Sequence, residues 1–275
     1  MQTITAHGLR MPKLGLGTWR LKGEACTTAV LGALSRGYRH IDTAQMYGNE
    51  DAVGEAIAAT PVPRADIHLT TKVWWDNLAP AAMQRAMETS LKLLKTDYVD
   101  LYLIHWPAPD MDLPAALGQL VAFKEQGLAR NIGVSNFNTA LLRRAVEEVQ
   151  APICCNQVEY HALLDQSKVL GYLRGKDMAL TAYCPLAQGR LAEQPELAAI
   201  AAKHGATPAQ VALKWLLDQD GVAAIPKAGR AESQQANLDA LNLTLDDADR
   251  AIIAGLPKTT RFVAPAFAPA WDEAA

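Results

Sequence analysis

Nothing in this 275-residue chain marks it for a membrane, a nucleic acid or a disulfide framework. No stretch reaches the roughly 20 consecutive apolar residues that a spanning helix needs. Met1-Gln2-Thr3 leads into a polar start rather than the apolar run of a signal segment. Basic residues do not outnumber acidic ones: 26 Lys and Arg face 29 Asp and Glu, a formal charge of −3, so no footprint for nucleic acid is expected. The four cysteines, Cys26, Cys154, Cys155 and Cys184, lack CxxC or Cys/His ligand spacing, and no metal site is expected. Cys154 and Cys155 are expected on one strand, pointing to opposite faces. All four read as buried, reduced thiols of a soluble, cytoplasmic protein. No Ser/Gly linker or shift in composition divides the chain, so residues 1–275 are read as one domain.

What the chain does have is alternation. Short apolar runs alternate with segments of helical period, as βαβ repetition predicts. Residues 1–13 read as a hairpin turning at His7-Gly8. Strands are expected at 14–17, 38–42, 67–73, 98–105, 129–134, 153–157, 178–183 and 222–226. Helices are expected near 24–36, 50–59, 80–94 and 113–126, with a pair at 195–204 and 207–219. Thr207 and Pro208 suit the N-cap and first helical position of the latter. Further helical segments at 231–240 and 245–255 precede a Pro/Ala-rich tail. Eight such repeats predict a single (β/α)8 barrel with an N-terminal hairpin cap and extra helices near the C-terminus; a doubly wound sheet is the alternative. A barrel carries its active site at the C-terminal ends of its strands.

Three polar residues fall at such ends. Asp42 closes the second strand, Lys72 the third and His105 the fourth, and Tyr47 lies in the loop after Asp42. Singly, each has a dull explanation: an ion pair, a packed ring, a core histidine, a helix cap. Together at one barrel mouth, four such groups would be costly to bury without a role. They suit proton donation to a carbonyl. A free tyrosine titrates near 10 and is a sluggish acid. Lys72 is expected to stabilise its phenolate and lower that value, Asp42 to hold the ammonium, and His105 to orient the carbonyl. Without a metal motif, reducing power calls for a hydride carrier.

Gly15-Leu16-Gly17 fails as a dinucleotide fingerprint, because Arg20 stands where the third glycine belongs. A barrel's phosphate site lies instead after strands seven and eight. There Tyr183 suits stacking on a flat ring, and Lys227 and Arg230 suit a phosphate. Ser135, Asn136 and Gln157 offer groups for a carboxamide, with capping as their dull alternative.

These residues together resemble the aldo-keto reductase family, whose members are NAD(P)H-dependent carbonyl reductases on a (β/α)8 barrel. The resemblance runs through LGLGTW (14–19), HIDTAQMYGNE (40–50), TTKVW (70–74), DLYLIHWP (100–107), IGVSNF (132–137), NQVEYH (156–161), YCPLAQG (183–189) and IPK (225–227). It implies a catalytic tetrad of Asp42, Tyr47, Lys72 and His105, with Tyr47 as the acid. It places Ser135, Asn136 and Gln157 on the nicotinamide carboxamide and Tyr183 on its ring. Thr18, Trp19, Leu186, Lys227, Arg230 and Asn237 would line the rest of the cofactor site. Met46, Trp74 and Trp106, with Trp19, would surround a small substrate. The short loops and the RFVAPAFAPAWD ending look most like bacterial 2,5-diketo-D-gluconate reductases, which reduce small dicarbonyls and aldehydes. Cys184, Ala228 and Ser233 depart from the common Ser, Ser and Arg, so the expected cofactor is NADPH with use of NADH open. The expected partner is a small carbonyl compound, and the default state is a monomer. A regulatory module that binds the cofactor without turnover is the rival; an intact tetrad argues against it.

Overall fold

The computed structural model describes residues 2–272. The hairpin forms from Thr3–Ala6 (β1) and Leu9–Pro12 (β2), antiparallel, with Thr3 opposite Pro12 and Ala6 opposite Leu9. Its turn falls at His7-Gly8, where both residues take positive φ (45° and 79°). Period-two alternation gathers Ile4, Ala6, Leu9 and Met11 against Leu101, Leu103, Ala179 and Ala223. The hairpin thereby plugs the floor of a barrel.

The barrel wall is an eight-stranded parallel sheet: Leu16–Gly17 (β3), His40–Asp42 (β4), His68–Val73 (β5), Val99–Ile104 (β6), Ala129–Ser135 (β7), Cys155–Glu159 (β8), Ala179–Tyr183 (β9) and Val222–Ala224 (β10). Each strand pairs with its neighbour in sequence. The seam closes through Leu14 beside Ala224 and Gly17 beside Lys227. There the Gly15 N–H donates to the Ala224 carbonyl at 2.9 Å, and the Ala224 N–H to the Lys13 carbonyl at 2.7 Å. A Cβ on Gly17 would lie 2.5 Å from the Ile225 carbonyl oxygen, so only glycine lets the two strands meet. The barrel expected from the sequence is present, and the doubly wound sheet is not.

Between the strands run Gly23–Ser35 (α1), Glu50–Ala59 (α2), Pro80–Leu94 (α3), Leu113–Glu125 (α4), Thr139–Arg143 (α5) and Ser167–Gly175 (α6). Pro195–Lys203 (α7), Pro208–Leu217 (α8), Ala231–Asp239 (α9) and Asp247–Ala254 (α10) complete the set. A π-helical turn over Arg144–Glu148 prolongs α5. Thr207 builds a capping box with Gln210 at the start of α8, as its position predicts. Asp246 does the same for α10, which fixes that start at 247 rather than 245. Outward strand residues such as Ile41, Leu69, Val73, Tyr102 and Ile104 pack under the helices in the main core.

Other expectations shift as well. The strand expected at 222–226 ends at Ala224, because Pro226 has no N–H for a ladder. Cys154 and Cys155 do not divide between two faces. Cys154 lies just before β8, outside its alternation, and both thiols join the floor cluster.

Candidate active site

Inward-facing polar residues gather at the C-terminal strand ends. On β4 and β5, alternation turns Ile41 and Val73 outward and brings Asp42 and Lys72 together inside, 1% and 0% exposed. The Lys72 ammonium donates to Asp42 Oδ1 at 2.6 Å and to the Thr43 carbonyl at 2.8 Å. Asp42 Oδ2 accepts from Gln157 Nε2 at 2.8 Å, so β8 braces the pair. Tyr47 closes a single 3-10 turn, Gln45–Tyr47, and Gly48 at φ 55° lets the chain leave it. The Lys72 ammonium lies 5.0 Å from the Tyr47 ring centre. His105 meets Tyr47 edge-on at 5.6 Å and Trp74 at 5.0 Å, and Trp19 tilts onto Tyr47 at 4.9 Å. The four residues singled out in the sequence are thus brought together.

Burial sets their protonation states. Lys72 is pulled below its ordinary value by desolvation, and Asp42 opposes that pull. His105 is pushed well below 6.5 by burial and then by Lys72, so it is neutral. Tyr47 is raised well above 10 by burial, then by Asp42 and Tyr183. This reverses the expectation that Lys72 lowers it. The ammonium is committed to Asp42 and Thr43, and desolvation of the phenolate outweighs what field remains. Tyr47 therefore rests as a phenol holding its proton.

A cavity of about 720 Å³ opens above this group, a size that takes a ligand of several rings. Its wall includes Tyr47, His105, Trp106, Met46 and Trp19, together with Asn136, Gln157, Tyr183, Leu186, Pro226 and Lys227. The Tyr183 hydroxyl donates to Asn136 Oδ1 at 2.8 Å, which fixes the ring as a flat wall. Asn136, at φ 62°, donates to the His105 carbonyl at 2.9 Å and to Ser135 Oγ at 3.1 Å. Ser135 in turn donates to the Gln157 carbonyl at 2.7 Å. Asn136 therefore has both N–H groups spent. Thr18 lines the cavity and donates to the Asp42 carbonyl at 2.9 Å. Arg230, exposed just before α9, and Asn237, buried on it and bonded to Tyr38, lie outside the cavity lining.

Some residues here escaped sequence reasoning. Glu159, wholly buried, accepts from the Phe262 N–H at 2.8 Å, the Val263 N–H at 2.9 Å and His161 Nε2 at 3.0 Å. At the far end of the tail, Asp272 accepts from the Thr139 N–H at 2.9 Å and its hydroxyl at 2.6 Å. Between these anchors Phe267 packs against Trp74, Trp75 and Trp106, and Trp271 against Trp106. Trp74 reaches the site through His105 and Phe267 and is not part of the cavity wall. The one sequence signal was the alternation of β8, which places Glu159 inward two residues beyond Gln157.

A closed parallel barrel with a buried Asp–Lys pair, a phenol and a neutral imidazole around one deep cavity defines an oxidoreductase acting on carbonyls. The chain belongs to the aldo/keto reductase family, whose model matches residues 13–257. It is 42% identical over 268 residues to a methylglyoxal reductase, DkgB, of Escherichia coli O157:H7, covering 96% of this chain and 100% of that one. An aldo-keto reductase of Mycobacterium avium is 41% identical over 253 residues, covering 92% and 88%. Among solved structures, one described as a 2,5-diketo-D-gluconic acid reductase B superimposes with a TM-score of 0.96 at 41% identity, covering 99% and 98%. Members of this family use nicotinamide cofactors. No helix among the described residues is long and apolar enough to cross a membrane.

Proposed function

We propose that the chain reduces small aldehydes and dicarbonyls of the methylglyoxal or 2,5-diketo-D-gluconate type, with NADPH as the preferred hydride source and NADH as a second. The observation that carries this reading is the buried Lys72–Asp42 pair beside the Tyr47 ring at the cavity floor. The relatives' names supply the substrate class. A bound reduced nicotinamide supplies hydride to the carbonyl carbon. Tyr47 gives its proton to the carbonyl oxygen, and the Lys72 ammonium stabilises the phenolate left behind. Neutral His105 orients the carbonyl by a hydrogen bond. Asp42 and Gln157 hold Lys72 in place. Ser135, Asn136, Gln157 and Tyr183 seat the nicotinamide. Thr18, Trp19, Leu186 and Lys227 serve the rest of the cofactor from the cavity wall, with Arg230 and Asn237 beyond it, and Met46 and Trp106 face the substrate with Trp74 behind them against His105 and Phe267.

The test is loss of NADPH absorbance with methylglyoxal or a diketogluconate, repeated with NADH. Tyr47→Phe is expected to lower turnover by about 10²-fold or more, with NADPH affinity nearly intact. Undiminished turnover in that variant would refute the role of Tyr47.

A further inference from the structure

Tyr47 can act as an acid only if its loop holds the hydroxyl where the carbonyl oxygen will lie. Its 3-10 turn is three residues long and has no side-chain cap of its own. Gln45 Oε1 in the turn accepts from the Trp74 N–H at 3.0 Å, and the other side-chain hold at its far end comes from Asn49, two residues on and wholly buried. Asn49 Oδ1 accepts from the Thr43 hydroxyl at 2.7 Å. Its two amide hydrogens go to two backbone carbonyls of another loop, Thr18 at 3.0 Å and Leu21 at 2.9 Å. Two carbonyls demand donors, so the orientation of the amide is fixed.

Each partner leads to the site. The Thr43 carbonyl accepts from the Lys72 ammonium. Thr18 donates through both its N–H and its hydroxyl to the Asp42 carbonyl. The Thr18–Leu21 loop contains Trp19, whose ring rests on Tyr47, and Arg20 at φ 65°. On the outer side the exposed Lys22 ammonium caps the Tyr47 carbonyl. One carboxamide therefore spans both ends of the Tyr47 loop and the loop that backs its ring.

We infer that Asn49 is a positioning residue for the proton donor: it fixes Tyr47 and Trp19 against the Lys72–Asp42 pair without touching substrate. The residues nearest to Asn in shape or chemistry do not fit the role. Asp has the shape but offers no donors to the two carbonyls, Ser is too short to reach three partners, and Gln adds a methylene where nothing is exposed. The inference rests on Tyr47 being the acid, as proposed above.

The test compares Asn49→Asp and Thr43→Val, each made in the native chain and in Tyr47→Phe. The second removes one bond, keeps the side-chain shape and leaves the Thr43 carbonyl for Lys72. With NADPH and methylglyoxal, kcat is expected to fall about 100-fold for Asn49→Asp, as for a misplacement near 1 Å, and about fivefold for Thr43→Val. NADPH affinity, read from quenching of tryptophan fluorescence, should change less than about twofold in Thr43→Val, whose lost bond lies on the Tyr47 loop and not on the Thr18–Leu21 loop that borders the cofactor. In the Tyr47→Phe background neither change should lower the residual rate further, because the group being positioned is gone. A role in stability alone predicts equal losses in both backgrounds, and that result overturns the inference. So does an unchanged kcat in Thr43→Val, which decides the matter if Asn49→Asp does not fold. Absence of turnover in the native chain would overturn the proposed function instead.

Discussion

Replacing Lys72 with methionine tests the geometry of the site without reference to any ligand. Methionine keeps most of the volume and the apolar stem, and removes only the ammonium. Asp42, 1% exposed, would then keep Gln157 Nε2 at 2.8 Å as its side-chain partner and lose the donor at 2.6 Å. The Thr43 carbonyl would lose its 2.8 Å donor as well. Breaking one side of a buried ion pair costs about 3–5 kcal/mol, mostly from the stranded charge. Urea unfolding followed by circular dichroism at neutral pH should show a loss in that range. Adding Asp42→Asn removes the stranded charge, and the double variant should regain about 2 kcal/mol or more. Neither variant should reduce carbonyls. A loss below about 1 kcal/mol for Lys72→Met, or no recovery in the double variant, would mean that water reaches the pair and that burial does not set the state of this site.

Stability should fall in acid for a specific reason. His40, His68 and His105 are all buried and held below the ordinary 6.5, chiefly by desolvation. As pH drops below about 6.5 the unfolded chain takes up protons there and the folded one does not, so stability declines by up to about 1.4 kcal/mol per group per pH unit. Unfolding free energies measured from pH 7.5 to 5 should show this slope, and His68→Gln should flatten it; a level profile would refute it. Lys227→Ala, which removes an exposed ammonium from the cavity wall, is expected to weaken NADPH binding about tenfold more than NADH binding. Equal losses in a fluorescence titration would contradict a contact with the extra phosphate. Glu159→Gln should loosen the tail, since charge-assisted bonds to the Phe262 and Val263 amides contribute about 1.5–3 kcal/mol each. Trypsin should then cut after Arg261 faster than in the native chain; identical digestion would show that Phe267 and Asp272 suffice.

The sequence by itself determined a great deal here. Short apolar runs alternating with segments of helical period were enough to count eight strands, because strands covered on both faces tend to read as apolar runs. The barrel's directionality then put Asp42, Lys72 and His105 at one mouth. Local chemistry marked the hairpin turn at His7-Gly8 and the cap at Thr207. What depends on pairs far apart in the chain was decided only in three dimensions. The protonated state of Tyr47 follows from its burial, reinforced by Asp42 and Tyr183, and no spacing encodes how closely those groups surround it. Gln157 reads as a cofactor ligand from its neighbours, yet it also braces Asp42 across 115 residues. Asn49 looks like an ordinary polar residue before a helix. Glu159 looks like a surface acid until Phe262 and Val263 arrive from a hundred residues away to bond it. Periodicity specifies which face a side chain takes; only closure of the barrel specifies what it finds there.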